Sequence, residues 1–278
     1  MFTNNFLQTL LRVLLSALLV GGVTITAVNA VDGNPPGLFE LDGNTVDDLG
    51  GGDDWDGLYS SPPGSSVAFT GILADPAPLS IYTGGGSKDV NDITQWRHTN
   101  GSVPDKNDIT NAYAAAYINP SDVESGGEVL HKAGDMILYF GLDRFANNGD
   151  AFAGFWFFQG EVGLNPNGTF SGQHAARDDA NGKRGDLLVL VEYPQGANAQ
   201  PEVKVYEWDP LKQGNVAAPN LSLLFSSADA KCDGNGDKLA CAITNVGNLP
   251  GAPAWPYTAK NGFAGLPLES FFEGGINV

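Results

Sequence analysis

The chain has 278 residues, with 14 Lys and Arg against 32 Asp and Glu, for a formal net charge of −18. Hydrophobic residues make up 42%, enough for a packed core, which excludes wholesale disorder. So acidic a chain lacks the clustered Lys and Arg that phosphate contact needs, and nucleic acid is excluded as a partner. Two cysteines exclude a cysteine-rich miniprotein or a multi-cysteine metal centre, and three scattered histidines argue against a histidine-rich one.

Residues 1–30 read as a secretory signal peptide. Arg12 is the only charged side chain before Asp32, an apolar run follows from Val13 to Val28, and Val28-Asn29-Ala30 has the small residues of a cleavage site. Gly21-Gly22 interrupts the run, which is shorter than the roughly 20 residues of a membrane span. The expectation is an exported protein, secreted or at the cell surface, with no membrane contact after cleavage.

Residues 31–66 form a Gly/Asp-rich N-terminal segment. Leu38, Phe39 and Leu41 suggest one short strand, and Asp42 to Asp56 reads as a loop by composition. Residues 67–278 carry the β signals. Val67 to Leu73 reads as a strand. Asp108 to Tyr117, DITNAYAAAY, reads as a helix capped from Asp105, with alanines supplying propensity. Tyr113 and Tyr117 then share a face as core contacts. Asp135 to Leu142, Gly154 to Gln159, Gly185 to Tyr193, Pro201 to Trp208 and Leu221 to Phe225 read as strands. In the fourth of these, Val203, Val205 and Glu207 alternate with Lys204, Tyr206 and Trp208, as in a half-buried strand. The set predicts an all-β protein, an antiparallel β-sandwich of jelly-roll or lectin-like type with one short helix. Cys232 and Cys241 bracket a run of turn formers, and export favours a local disulfide between them.

Four kinds of chemistry can be sought. Oxygen ligands suited to calcium occur as Asp143, Asn147 and Asp150 between two strands, and as Asp233, Asn235 and Asp237 in a D-x-N-x-D run. The second run lacks the glutamate of an EF-hand, with Thr244 at that position. Paired carboxylates for glycoside hydrolysis would fall to Glu192 and Glu207, although no E-x-D-x-x-E strand is present. Nucleophilic catalysis has no G-x-S-x-G motif to rest on. Trp96, Trp208, Trp255 and Tyr257 fall in or near loops, where aromatic faces can stack on sugar rings.

Several segments taken together carry a resemblance. They are Phe69-Thr70-Gly71, Thr83 to Asp89, Pro104 to Ile109 leading into Asn111 to Tyr117, Leu138 to Asp150, Gly154 to Gln159, Gly185 to Leu190, and Phe271 to Asn277. This set resembles the N-terminal domain of large secreted bacterial surface proteins that carry prealbumin-like or other Ig-like repeats. The resemblance implies surface exposure and a binding or structural role without enzymatic activity, with Ig-like modules following the Phe271-Phe272-Glu273-Gly274-Gly275 segment. The expected function is adhesion or structural binding to an extracellular glycan or a cell-surface protein, with calcium as the candidate cofactor. A secreted polysaccharide hydrolase using Glu192 and Glu207 is the alternative.

Overall fold

The computed structural model describes residues 37–48, 52–75, 80–83, 89–125, 128–193, 202–211, 219–227, 232 and 239–278. The signal-peptide expectation for residues 1–30 lies outside them. Two antiparallel sheets face each other. We label their strands β1 (Ala68–Phe69), β2 (Leu73–Ala74), β3 (Ile109–Ile118), β4 (Met136–Arg144), β5 (Ala151–Phe157), β6 (Leu187–Tyr193), β7 (Glu202–Trp208), β8 (Leu221–Ser227), β9 (Ala240–Thr244) and β10 (Phe271–Asn277). The first sheet runs β1-β3-β4-β10-β9, with β2 also on β3; the second runs β8-β7-β6-β5. The connection 145–150 crosses from one sheet to the other. Among the described residues, no helix is long and apolar enough to cross a membrane.

Period-two alternation builds the core. Ala114 and Ala116 of β3, Leu138, Phe140 and Leu142 of β4, and Phe272 and Ile276 of β10 face Phe155, Val189, Val191, Val203 and Val205 of the second sheet. Phe140 meets Phe155 at a ring separation of 4.7 Å. Small residues on β3 leave room for these rings. The fold is therefore an all-β sandwich, with one short α-helix among the described residues, as the strand series predicts.

The helix lies elsewhere than expected. Residues 109–118 form β3, paired with β4 from Ile118↔Met136 to Asn111↔Asp143. Alanine propensity is a weak preference, and pairing on both sides overrides it. Tyr113 and Tyr117 are core residues nonetheless, because a separation of four places two side chains on one face of a strand as well. Asp105 opens a single 3-10 turn, Asp105–Asn107. Among the described residues the α-helix is α1, Trp55–Ser60, which begins at the end of the Asp42–Asp56 stretch expected to be loop and lies within the Gly/Asp-rich segment 31–66.

Cys241 of β9 is joined to Cys232 by a disulfide closing a separation of 9 residues. It lies in a second core on the outer face of the first sheet, with Tyr113, Tyr117, Ile137, Tyr139 and Phe271. Phe39, Leu41, Trp55 and Leu58 cover that face and are fully buried. Phe39 stacks on Tyr139 at 4.8 Å, and Trp55 meets Tyr113 at 4.6 Å. The segment around residues 37–64 is thus a third layer. Leu38 and Phe39 form no strand beyond the isolated bridge Phe39↔Asp53.

Candidate functional site

The third layer brings carboxylates together. Backbone bonds from Glu40 N to Asp53 O and from Asp53 N to Leu38 O hold the two arms of this segment side by side. Gly43, at φ +85, turns the chain where a Cβ would lie 3.1 Å from Thr244 O. Asn44 donates from its backbone N and its Nδ2 to the two oxygens of Asp42. Asp48 N donates to Glu40 Oε2 at 3.1 Å, closing the loop on itself. Asp54 caps α1, its Oδ1 accepting from Trp55 N.

Below this loop, alternation along β10 turns Glu273 to the outer face, between Phe272 and Gly274 of the inner face. Glu273 is fully buried. Its Oε1 accepts from Gly43 N at 2.7 Å and its Oε2 from Trp55 Nε1 at 3.0 Å. Burial raises the carboxyls of Asp54 and Glu273 well above the ordinary carboxylate range. For Asp54 the next largest influence is the charge of Glu273, with Asp42 and Glu40 adding to it. Burial also raises Asp42, with Asp48 and Glu40 as like-charged neighbours. One carboxylate oxygen from each of Glu40, Asp42 and Asp48 lies within 4.8 Å of the other two. Such a group of hard oxygens can hold a proton or a hard cation; it offers no activated nucleophile.

This site was not anticipated from sequence. The Asp-rich stretch read as a loop because Asp, Asn and Gly are common turn formers. Two signals point to it. One is Asp53-Asp54 set directly before Trp55; the other is a lone Glu within the otherwise uncharged FFEGGI of β10.

The expected metal ligands are placed otherwise. Asp143 is buried on the outer face of β4, where Asn111 Nδ2 reaches its oxygens at 2.9 and 3.0 Å and Trp255 Nε1 donates at 2.8 Å. Burial pushes its carboxyl up to about 7, against the lowering effect of those hydrogen bonds. Asn147 Nδ2 donates to Leu268 O at 2.6 Å, and Asp150 is at the surface. The side chains of Asp143 and Asn147 are thus committed to different partners. Asp233, Asn235 and Asp237 lie outside the described residues.

The expected hydrolytic pair does not form. Glu207 shares the inner face of its sheet with Val203 and Val205, whereas Glu192 follows Val191 and turns outward. Their register positions differ too, Glu192↔Glu202 and Leu187↔Glu207. Five residues of strand separate them, roughly 16 Å at strand rise, beyond the 5–9.5 Å that either glycosidase geometry uses. Glu207 instead accepts from Gly185 N at 2.8 Å and from Arg177 Nη1 at 3.0 Å.

The aromatic residues expected to stack on sugars also fail to form one face. Trp96, Trp208 and Trp255 are 2%, 4% and 2% exposed, in three different clusters. Tyr257 is half-buried, its hydroxyl donating to Arg144 O at 2.9 Å. Large apolar rings with satisfied N–H groups pack the interior even when loops carry them. Trp208 and Trp156 enclose the ring of His174, with centroids 4.1 and 4.4 Å from it. His174 Nδ1 lies 3.0 Å from Asp186 Oδ2, and both side chains are fully buried.

No protein-family description, characterised protein or solved structure matches the chain.

Proposed function

We propose that this chain is an exported, non-catalytic β-sandwich module acting in adhesion or matrix structure at a cell surface, as the resemblance to surface-protein N-terminal domains implies. Its partner is an extracellular glycan or a cell-surface protein. One observation supports the reading most: polar and aromatic side chains able to do chemistry are used inside the protein. Glu207 is tied to Arg177 and Gly185, Asp143 to Asn111 and Trp255, and Asp186 to His174. Groups so committed hold layers together rather than meet a substrate. The net charge of −18 further disfavours polyanionic ligands.

The test is a pull-down of the chain on a panel of insoluble polysaccharides and isolated cell walls, with the supernatant assayed for reducing sugar. Retention on one matrix without sugar release supports an adhesin. Release of sugar overturns the non-catalytic reading, and since Glu192 and Glu207 stand apart, it would require another pair of carboxylates. A chain that binds none of these matrices and no cell surface would remove the adhesive role.

A further inference from the structure

We propose that β5 is a pairing edge, to which the β5 of a second copy of this chain adds antiparallel about a two-fold axis at Gly154. Trp208 N donates to Asp186 O, so along β6 the even-numbered residues bond to β7 and the odd-numbered ones to β5. On β5 the odd-numbered residues therefore bond to β6. Phe152, Gly154 and Trp156 turn their backbone N–H and C=O groups to the open side. Among the described residues no strand lies on that side, and no group bonds to these three backbones. Two residues earlier in the same row, Asp150 O accepts from Lys106 Nζ at 3.0 Å, which marks one end of the open stretch.

This edge also lacks the usual protections. Soluble proteins blunt an open edge with charge, proline or a bulge. The opposite edge of the same sheet has one: the register of β8 on β7 shifts between Val205 and Tyr206. β5 reads AFAGFWF, with no charged residue and no proline, and keeps register with β6 through all seven residues. Its Phe152 is 72% exposed.

The strand's complementarity to itself names the occupant. Turned about Gly154, β5 sets Gly154 against its own copy, Phe152 against Trp156, Ala153 against Phe155 and Ala151 against Phe157. The first two are the bonded pairings, so every open N–H and C=O of both copies finds a partner. Ala151, Ala153, Phe155 and Phe157 belong to the inner face, where each ring would meet an alanine across the seam. On the outer face the exposed Phe152 would gain an indole, a favourable cross-strand pair. An axis at Trp156 would instead set Phe155 against Phe157, ring on ring, and Phe152 against Gly160. A two-fold contact of this kind closes at two copies.

A seam of one short strand is a small interface, so the pairing is concentration-dependent. The experiment is analytical ultracentrifugation of the purified full chain over rising concentration. An ionic strength of about 0.15 M screens the two acidic copies from each other beyond about 8 Å. Expected is a monomer–dimer equilibrium with no larger species. Gly154→Pro removes the central donor of each copy, at a position whose N–H faces away from β6, and should weaken the dimer at least ten-fold. Phe152→Lys trades an exposed ring for the residue that commonly blunts edges, and should weaken it at least ten-fold as well. If Gly154→Pro does not fold, Phe152→Lys decides alone. Leu223→Lys, 48% exposed on β8, should leave the dimer unchanged. A chain that stays monomeric up to about 1 mM, an association of about −4 kcal/mol or weaker, overturns the proposal. So does a dimer that survives Phe152→Lys, or one that Leu223→Lys weakens as much. None of these results bears on the adhesive reading, whose test is retention on a matrix.

Discussion

Trp55 and Glu273 stand 218 positions apart in sequence and are joined by a 3.0 Å hydrogen bond from the indole Nε1 to the carboxylate Oε2. The indole also packs on Phe39 at 4.5 Å and on Tyr113 at 4.6 Å. One side chain thus fills the outer core and supplies a donor to its buried acid. Trp55→Phe keeps most of the packing and removes only the donor, leaving Gly43 N on Glu273. The expected loss is about 1–3 kcal/mol, the range for a buried acceptor deprived of its partner. Urea unfolding should show a lower midpoint at an unchanged slope.

Asp143 predicts a pH dependence. Its carboxyl holds a proton up to about pH 7 in the folded chain but releases it near pH 4 when unfolded. The folded state therefore binds more protons between these values, and stability falls as pH rises through them. The contribution is whole below about pH 4 and gone above about pH 7, an order of 4 kcal/mol at most. Asp143→Asn should flatten this part of the stability profile, since an asparagine oxygen can still accept from Trp255 and the Asn111 amide can turn to receive its NH₂. Denaturant midpoints measured from pH 4 to 8 for both chains would check it.

Gly141 lies in register with both Glu273 and Tyr113, between their strands. A Cβ there would meet Tyr113 Cε2 at 2.4 Å and Phe272 O at 2.7 Å. The second contact is backbone and cannot move aside. Gly141→Ala should therefore destabilise by about 3 kcal/mol, read as a fall in melting temperature.

Glu207 and Glu192 should separate in a stability assay. Glu207→Ala leaves Gly185 N without its acceptor in a buried place, an expected loss of about 2–3 kcal/mol. Glu192→Ala, on the outer face, should stay within about 0.5 kcal/mol of the parent. Chemical denaturation of the two variants would show whether Glu207 acts as a support of the fold.

The sandwich was legible because its strands are apolar and β-prone in runs of five to nine residues, as in Met136–Arg144 and Leu187–Tyr193. The segment Ile109–Ile118 was not, because its alanines favour helix and its Tyr113–Tyr117 spacing fits either period. Short two-residue strands such as Ala68–Phe69 depend on their partner and leave no period of their own. The acidic cluster was illegible for a different reason. Its members come from Glu40, Asp42, Asp48, Asp54 and, beneath them, Glu273, and only a layer folded back onto the sheet joins the first four to the last. Local composition reported turns, which is true of each piece and silent about their meeting. The disulfide was legible because its two ends are near in sequence.

β10 occupies an interior place in its sheet, between β4 and β9, and among the described residues no other strand lies beside β9. During synthesis the stretch around Trp55 is made long before the residue it binds, with 218 positions between them. That stretch can pack on Tyr113 of β3 and Tyr139 of β4 as these are made, but its indole donor meets Glu273 only when β10 arrives between β4 and β9. Completion of the first sheet and of the Trp55–Glu273 link is thereby tied to one late event. Contacts of such span make for slow folding, and a chain halted before β10 would present the open margin of β4 to any neighbour able to add a strand.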